Sequence, residues 1–323
     1  MTDCANCPKS QAQAKPRWVA PKRDLPLSGI LNVDKPPGIT SHDVVDEVRR
    51  MVGQRKVGHA GTLDPMATGV LLVCLGKATR VAEFLMQGRK RYGATIVLGM
   101  TTDTYDADGE IVSNGGETDF SRAEIEAALA RFVGQIEQVP PMYSAVKQEG
   151  QPLYKLARQG KTVERSPRSV EIDAIDLLDW TRPALSIEVT CSSGTYIRSL
   201  AHDLGEALGC GAHLSALVRL SSGRFALEDA TSLDHLAEAF EHGQGDRHLL
   251  ALDEAFFDQP AAIVGADTAQ RIAHGQAVAL ETPAAVKGDG PELARVYGPE
   301  GDFLAIMTYD TASGMWRPKK VFA

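Results

Sequence analysis

Residues 70–75 read VLLVCL, an apolar run with no polar interruption, entered directly from Gly69. A run of that length bounded by a turn residue reads as a buried strand, with the preceding loop at its mouth. That loop, GHAGTLDPMATG, contains a single carboxylate, Asp64, among glycines, small residues, one His and one Pro. Gly58 and Gly61 admit backbone conformations that other residues resist, and Pro65 fixes the chain immediately after the acid. Taken alone, an Asp-Pro pair is a turn signal. A rigid loop beside a buried strand is also a way to aim one side chain, and the rest of the chain decides between the two.

Strand and helix patterns alternate around this centre. An apolar strand over Gly29 to Val33 meets a Pro-Pro-Gly turn, and Thr40 or Ser41 caps a helix with Val44, Val45, Val48 and Val52 on one face, ended by Gly53. A helix around Ala78 to Met86 leads into the strand RYGATIVLG and an acidic loop, TTDTYDADGE. Ser121 and Glu124 form a capping box for a helix carrying Ile125, Leu129 and Phe132, expected to end at Gly134. VEIDAIDLLDW reads as a strand, and ALSIEVTCSSGTYIRSLAHDLGEALGCG as strand, loop and helix. This pattern predicts an α+β fold, a mixed and largely antiparallel sheet with flanking helices. Past about Asp258, one short helix and Gly- and Asp-separated strands indicate a small β-rich module with its own core. The 323 residues accommodate both. The division expected is a flexible tail over 1–27, a catalytic domain over 28–257 and the small module over 258–323.

Charge bears on partners through its distribution. The formal net charge is −8, yet residues 34–100 hold 10 Lys or Arg against 6 Asp or Glu. Residues 101–140 hold 2 against 9, and residues 225–260 hold 1 against 9. The acidity is thus expected to lie away from Asp64, which permits a polyanion there. No apolar segment reaches the roughly 20 residues of a membrane span, and the polar N-terminus lacks a signal-peptide core, so a cytoplasmic protein without membrane attachment is expected. Five scattered cysteines do not form a disulfide framework, and the CxxC of Cys4 and Cys7 supplies only two ligands. GVLLVCLGKAT fails the phosphate-loop spacing, GCGAHL lacks the third glycine of a dinucleotide fingerprint, and there is no HExxH. The expectation is chemistry by side chains alone, with no cofactor and no metal.

Three stretches remove the remaining ambiguity: DKPPGITSHDVV at 34–45, GHAGTLDPMATGVL at 58–71 and GTYIRSLAHDLGEALGCGAHLSALVR at 194–219, with KRYGATIVLG between them. In order and spacing they resemble the TruB family of tRNA pseudouridine-55 synthases. The resemblance runs from about Ser28 to at least Arg224, and the C-terminal module is similar to the family's RNA-binding module of PUA type. It implies a pseudouridine synthase-type fold and isomerisation of one uridine in the TΨC loop of tRNA, without redox change or net hydrolysis. Asp64 would be the nucleophile; one acid suffices where a glycosidase uses two. The target base must leave its stack.

The resemblance also assigns supporting roles, each with an ordinary alternative. His59 would fill the position the flipped base vacates, although a His in a Gly-rich turn is commonly a surface residue. Tyr92 would stack on the base; a Tyr at a strand start is otherwise half-buried core. Arg198 would pair with the catalytic Asp, since a neighbouring positive charge favours a carboxylate; its alternative is a phosphate contact or a surface ion pair. Tyr196 would line the uracil pocket and Leu217 would close it, where Leu217 alone reads as core. Lys35 would pack against the active-site loop or contact RNA. The partner expected is the tRNA TΨC stem-loop, met by a monomer without an obligate protein partner. Two other functions compete: a tRNA-folding factor that opens and recloses the elbow, and a subunit of an RNA-guided ribonucleoprotein.

Overall fold

The computed structural model describes residues 26–281 and 293–322, apart from 145, 149, 158, 161 and 162. Cys4 and Cys7 lie outside the described residues. The chain begins with β1 (Gly29–Lys35), α1 (Ser41–Val52), β2 (Val57–His59), β3 (Thr68–Leu75), α2 (Ala82–Gln87) and β4 (Lys90–Leu98). A hairpin of β5 (Met100–Thr102) and β6 (Ile111–Asn114) precedes α3 (Arg122–Ala130) and β7 (Gly134–Gln138). After a small hairpin, β8 (Lys147–Gln148) and β9 (Gln151–Pro152), come α4 (Leu153–Ala157), β10 (Arg168–Thr181), β11 (Ala184–Cys191), α5 (Ile197–Leu208) and β12 (Ala212–Ser222). The body closes with β13 (Phe225–Ala226), β14 (Thr231–Ser232) and α6 (Leu233–Glu241).

Ten of these strands form one sheet in the order β14-β1-β3-β12-β4-β11-β10-β7, with β2 on β3 and β13 on β12. Pairing is antiparallel except for β1 with β14 and β3 with β12. The apolar run does what a run without alternation requires: β3 is buried along both faces. Leu71, Val73 and Leu75 enter the main core, under α1, α3, α5 and α6, while Val70, Leu72 and Cys74 enter a second core on the opposite face. Beyond β12 that second face is less covered: β11 alternates between buried and half-buried residues, and β4 does the same except at Arg91, which is exposed.

Local signals set the helices. Thr40 caps α1 through a capping box with Asp43, and Gly53 ends it in the left-handed region at φ 68°. The helix expected to reach Gly134 ends at Ala130 instead. Its last carbonyls, those of Ala128, Leu129 and Ala130, accept from the amides three residues on, which tightens the final turn and tucks Phe132 against the core. Gly134, at φ 101°, starts β7.

The C-terminal segment forms β15 (Ala261–Ile263), α7 (Ala266–Ala273), β16 (Leu293–Tyr297), β17 (Phe303–Asp310) and β18 (Met315–Val321), with its own four-stranded sheet in chain order. Its core includes Ile272, Val296, Met307 and Trp316. It is not a separate bead, because Ile306 and Phe322 join Val70, Leu72, Cys74 and Phe256 in the second core, behind β3. The Lys77 ammonium donates to the Phe322 carbonyl at 2.5 Å and the Arg80 guanidinium to that of Val321 at 2.6 Å. Among the described residues, no helix is long and apolar enough to cross a membrane.

Candidate active site

Strand register builds the site. Lys35 on β1 lies opposite Gly69 on β3, Gly69 opposite Arg219 on β12, Arg219 opposite Tyr92 on β4, and Tyr92 opposite Val189 on β11. This transverse row brings residues from 35 to 219 to one end of the sheet, where the Asp64 loop enters β3. The loop's carbonyls are held from several sides. The Lys35 ammonium donates to Pro65 O at 3.0 Å and Ala67 O at 2.6 Å, as well as to Pro36 O at 2.9 Å. The Ser41 hydroxyl donates to Leu63 O at 3.0 Å and accepts from the Leu63 amide at 2.8 Å. Arg219 donates from Nε to Val70 O at 2.6 Å, from Nη2 to Gly61 O at 3.1 Å and from Nη1 to Thr62 O at 3.5 Å. A loop whose carbonyls are accounted for in this way has little freedom to reposition its one acid.

Asp64 emerges from this frame with its side chain 31% exposed, and Arg198 Nη2 meets its carboxylate at 2.8 Å. Arg198 is in the first turn of α5, buried to 4% exposure. It also donates to the carbonyls of Tyr143 at 2.8 Å and Thr104 at 3.3 Å, and pairs with Asp106 at 3.4 Å. The loop before α5 is fixed by Gln138, which accepts from the Tyr196 amide at 2.7 Å and donates to its carbonyl at 2.9 Å. Asp106 is held in turn by the Thr104 hydroxyl at 2.6 Å and the Asp108 amide at 3.1 Å. Burial raises its carboxyl above the ordinary range, opposed by the Thr104 hydrogen bond and Arg198. The expected segregation of acidity from Asp64 is corrected here: the loop after β5 returns to the sheet, Leu214 and Asp106 bridge, and the acid lands on Arg198.

The other residues singled out in the sequence fall around this pair. Tyr92 is buried, on β4 opposite Arg219; burial pushes its phenol up and the nearby guanidinium opposes that. Leu217 is buried with Leu63, Tyr92 and Ala94 in the main core. His59, on β2 opposite Val73, is half-buried; burial lowers its imidazole, Arg219 adds to this, and its Nδ1 has no hydrogen-bond partner. Tyr196 is half-buried at the start of α5, its phenol pushed up by burial. Lys35 is 0% exposed, so of its two expected roles the geometry gives the packing one and leaves no RNA contact; burial brings its ammonium down to about 8, with Asp64 pulling upward.

Asp106, Arg219 and Gln138 escaped the sequence reading. Arg219 closes the quoted motif LSALVR and Asp106 sits in the quoted acidic loop, but a charged residue reads as solvated face unless its burial is known. Among the described residues, no group of three or more His, Cys, Asp or Glu could hold a metal ion. What the site offers is one pinned, partly exposed carboxylate, an ion-paired guanidinium beside it and an aromatic ring on the strand row that the loop enters. That set can act as a nucleophile or electrostatic partner toward a planar ligand.

Comparison with known proteins gives the following likenesses. Residues 49–197 match the model of the TruB family pseudouridylate synthase N-terminal domain, and residues 198–256 that of the tRNA pseudouridylate synthase B C-terminal domain. A protein of Dehalococcoides mccartyi named tRNA pseudouridine synthase B is 46% identical over 296 residues, 92% of this chain and 97% of its own. One of that name from Symbiobacterium thermophilum is 50% identical over 257 residues, 79% of this chain and 84% of its own. Among solved structures, a chain of a Cbf5-Nop10-Gar1 complex superposes with a TM-score of 0.72 at 29% identity, covering 91% of this chain and 85% of its own. A chain from a structure of H/ACA RNP bound to a substrate RNA containing 2'-deoxyuridine gives 0.71 at 26% identity, covering 97% and 92%.

Proposed function

This chain belongs to the TruB family of pseudouridylate synthases, and we propose that within it Asp64 is the nucleophile and Arg198, Tyr92, His59, Tyr196 and Leu217 shape the pocket of the flipped base. The protein isomerises uridine to pseudouridine in tRNA, at position 55 of the TΨC loop. The reaction breaks the C1′–N1 bond, turns the uracil and joins C1′ to C5; C5 loses its proton and N1 gains one, so composition is unchanged. One carboxylate can assist both the breaking and the forming of a bond to C1′, or to the base itself, and no redox partner or hydrolytic water is required.

The observation that carries this reading is the Asp64–Arg198 pair at 2.8 Å, held open to solvent on the Asp64 side by a loop that is otherwise fastened down. Tyr92, on the strand row that the loop enters, is read as the platform on which an extruded base stacks, an interaction of about 1–3 kcal/mol. Lys35 serves the loop. Residues 28–257 are read as the catalytic domain and 258–323 as a PUA-like module contacting tRNA outside the loop; the protein works as a cytoplasmic monomer without cofactor or protein partner.

The test uses purified protein and an unmodified tRNA transcript labelled with tritium at uracil C5. Isomerisation releases one label equivalent per tRNA, and a transcript with cytidine at position 55 releases none. Release only in the presence of added protein or guide RNA would support the ribonucleoprotein reading. Tight binding without release would support the folding factor.

A further inference from the structure

We propose that Arg219 is the positioning residue of this site: it ties both ends of the Asp64 loop to the strand position opposite Tyr92 and so sets the separation between the carboxylate and the ring. This deepens the reading of Asp64 and Tyr92 above and rests on it. The side chain is 2% exposed, and burying a guanidinium is costly unless its donors are matched. Here they are matched by carbonyls of this one loop, Gly61 and Thr62 at its entrance and Val70 at its exit.

The main chain of Arg219 does the same work. Gly69, at φ 93°, runs parallel against it so closely that a Cβ there would lie 2.4 Å from the Arg219 carbonyl oxygen. On its other side Arg219 pairs with Tyr92. One residue therefore touches the loop's entrance, its exit and the base platform. A core residue needed only for packing would not require a charged fork aimed at three carbonyls. The planar guanidinium spans these acceptors together; a lysine ammonium, with its donors at one point, does not.

The consequence is geometric. Loss of the fork leaves the fold's strands paired but frees Asp64 and Tyr92 to move relative to each other, and a displacement of about 1 Å can cost on the order of 10²-fold in rate. The experiment compares full-length wild type, Arg219→Lys and Arg219→Gln in single turnover with enzyme in excess of tRNA transcript, alongside tRNA affinity. The expected result is a rate constant lowered by about 10²-fold in the Lys variant and further in Gln, with full product amplitude and affinity within about threefold. A residue that only supports folding lowers the folded fraction of enzyme, read by circular dichroism, and leaves the rate constant alone once enzyme is raised to saturation. Ultraviolet titration, read as the difference between each protein and its Tyr92→Phe counterpart, adds a second readout: the Tyr92 phenol should titrate higher in the Gln variant. If the Gln variant does not fold, the Lys variant carries the test.

An unchanged rate constant, or a loss that disappears when enzyme is raised to saturation, would overturn the assignment. Asp64→Asn in the same assay separates the two levels. If Asp64→Asn is inactive while Arg219→Lys is normal, only the Arg219 inference fails. If Asp64→Asn turns over, the catalytic reading beneath it fails.

Discussion

Replacing Lys35 by Met removes the ammonium that fastens the Asp64 loop while keeping the length of the side chain. Three hydrogen bonds of 2.6–3.0 Å disappear, leaving the Pro36, Pro65 and Ala67 carbonyls without that donor. Against this loss stands a relief. Burial brings Lys35 from 10.5 to about 8, and at about 1.4 kcal/mol per pH unit the buried charge costs about 3 kcal/mol relative to the neutral amine. The effects partly cancel, and the net destabilisation at pH 7 is expected to be about 1–3 kcal/mol. The rate should fall further than stability suggests, by about 10²-fold, because the freed carbonyls flank the acid.

The pH dependence has a definite sign. The folded-state value of Lys35 lies below the unfolded one, so between pH 8 and 10.5 the unfolded chain still holds a proton that the folded protein has released. Unfolding free energy contributed by Lys35 therefore rises with pH across that window, by up to about 3 kcal/mol, and is flat below it. Urea unfolding at pH 7, 8, 9 and 10 should show the stability gap between wild type and Lys35→Met widening above pH 8. Activity should move the other way, since a neutral amine has two donors for three carbonyls. A gap that does not change with pH, or a Met variant at the wild-type single-turnover rate, would refute the reasoning.

Asp106→Asn keeps the shape but removes the second acid on Arg198, a pair at 3.4 Å with both side chains under a tenth exposed; stability should drop by about 3 kcal/mol and single-turnover rate by about 10²-fold, with tRNA affinity nearly kept. Gly69→Ala should be among the more damaging single changes, about 2–4 kcal/mol by thermal melting, because positive φ and a Cβ against the Arg219 carbonyl act together. Deleting residues 258–323 withdraws Ile306 and Phe322 from the core behind β3. The truncated protein should melt well below wild type, and its activity on an isolated TΨC stem-loop should fall together with that on full tRNA, whereas a purely RNA-binding appendage would spare the stem-loop.

How far the sequence reached follows from the range of each signal. The α1 cap, the Asp64 loop and the β3 run are local patterns, and each appears where its residues predict. The largely antiparallel mixed sheet with helices is also as expected. Two features were out of reach. The row of Lys35, Gly69, Arg219 and Tyr92 exists only through strand register, and nothing local in LSALVR distinguishes a buried arginine from an exposed one. Asp106 was assigned to an acidic region away from the site because charge counted along the chain ignores the return of a hairpin. The C-terminal pattern correctly showed a β-rich module with its own core, but not that Phe322 and Ile306 are shared with the body, since an apolar residue at a strand end does not name the surface it meets.

The central claim is that a single carboxylate performs the chemistry, and Asp64→Asn tests it most directly. The substitution conserves shape and leaves an amide that can still face Arg198 across the present 2.8 Å contact. With enzyme in excess over C5-tritiated tRNA transcript, the account predicts no label release over many wild-type half-lives and a tRNA dissociation constant within about threefold of wild type. Release approaching the wild-type rate, with pseudouridine mapped to the same position, would contradict it.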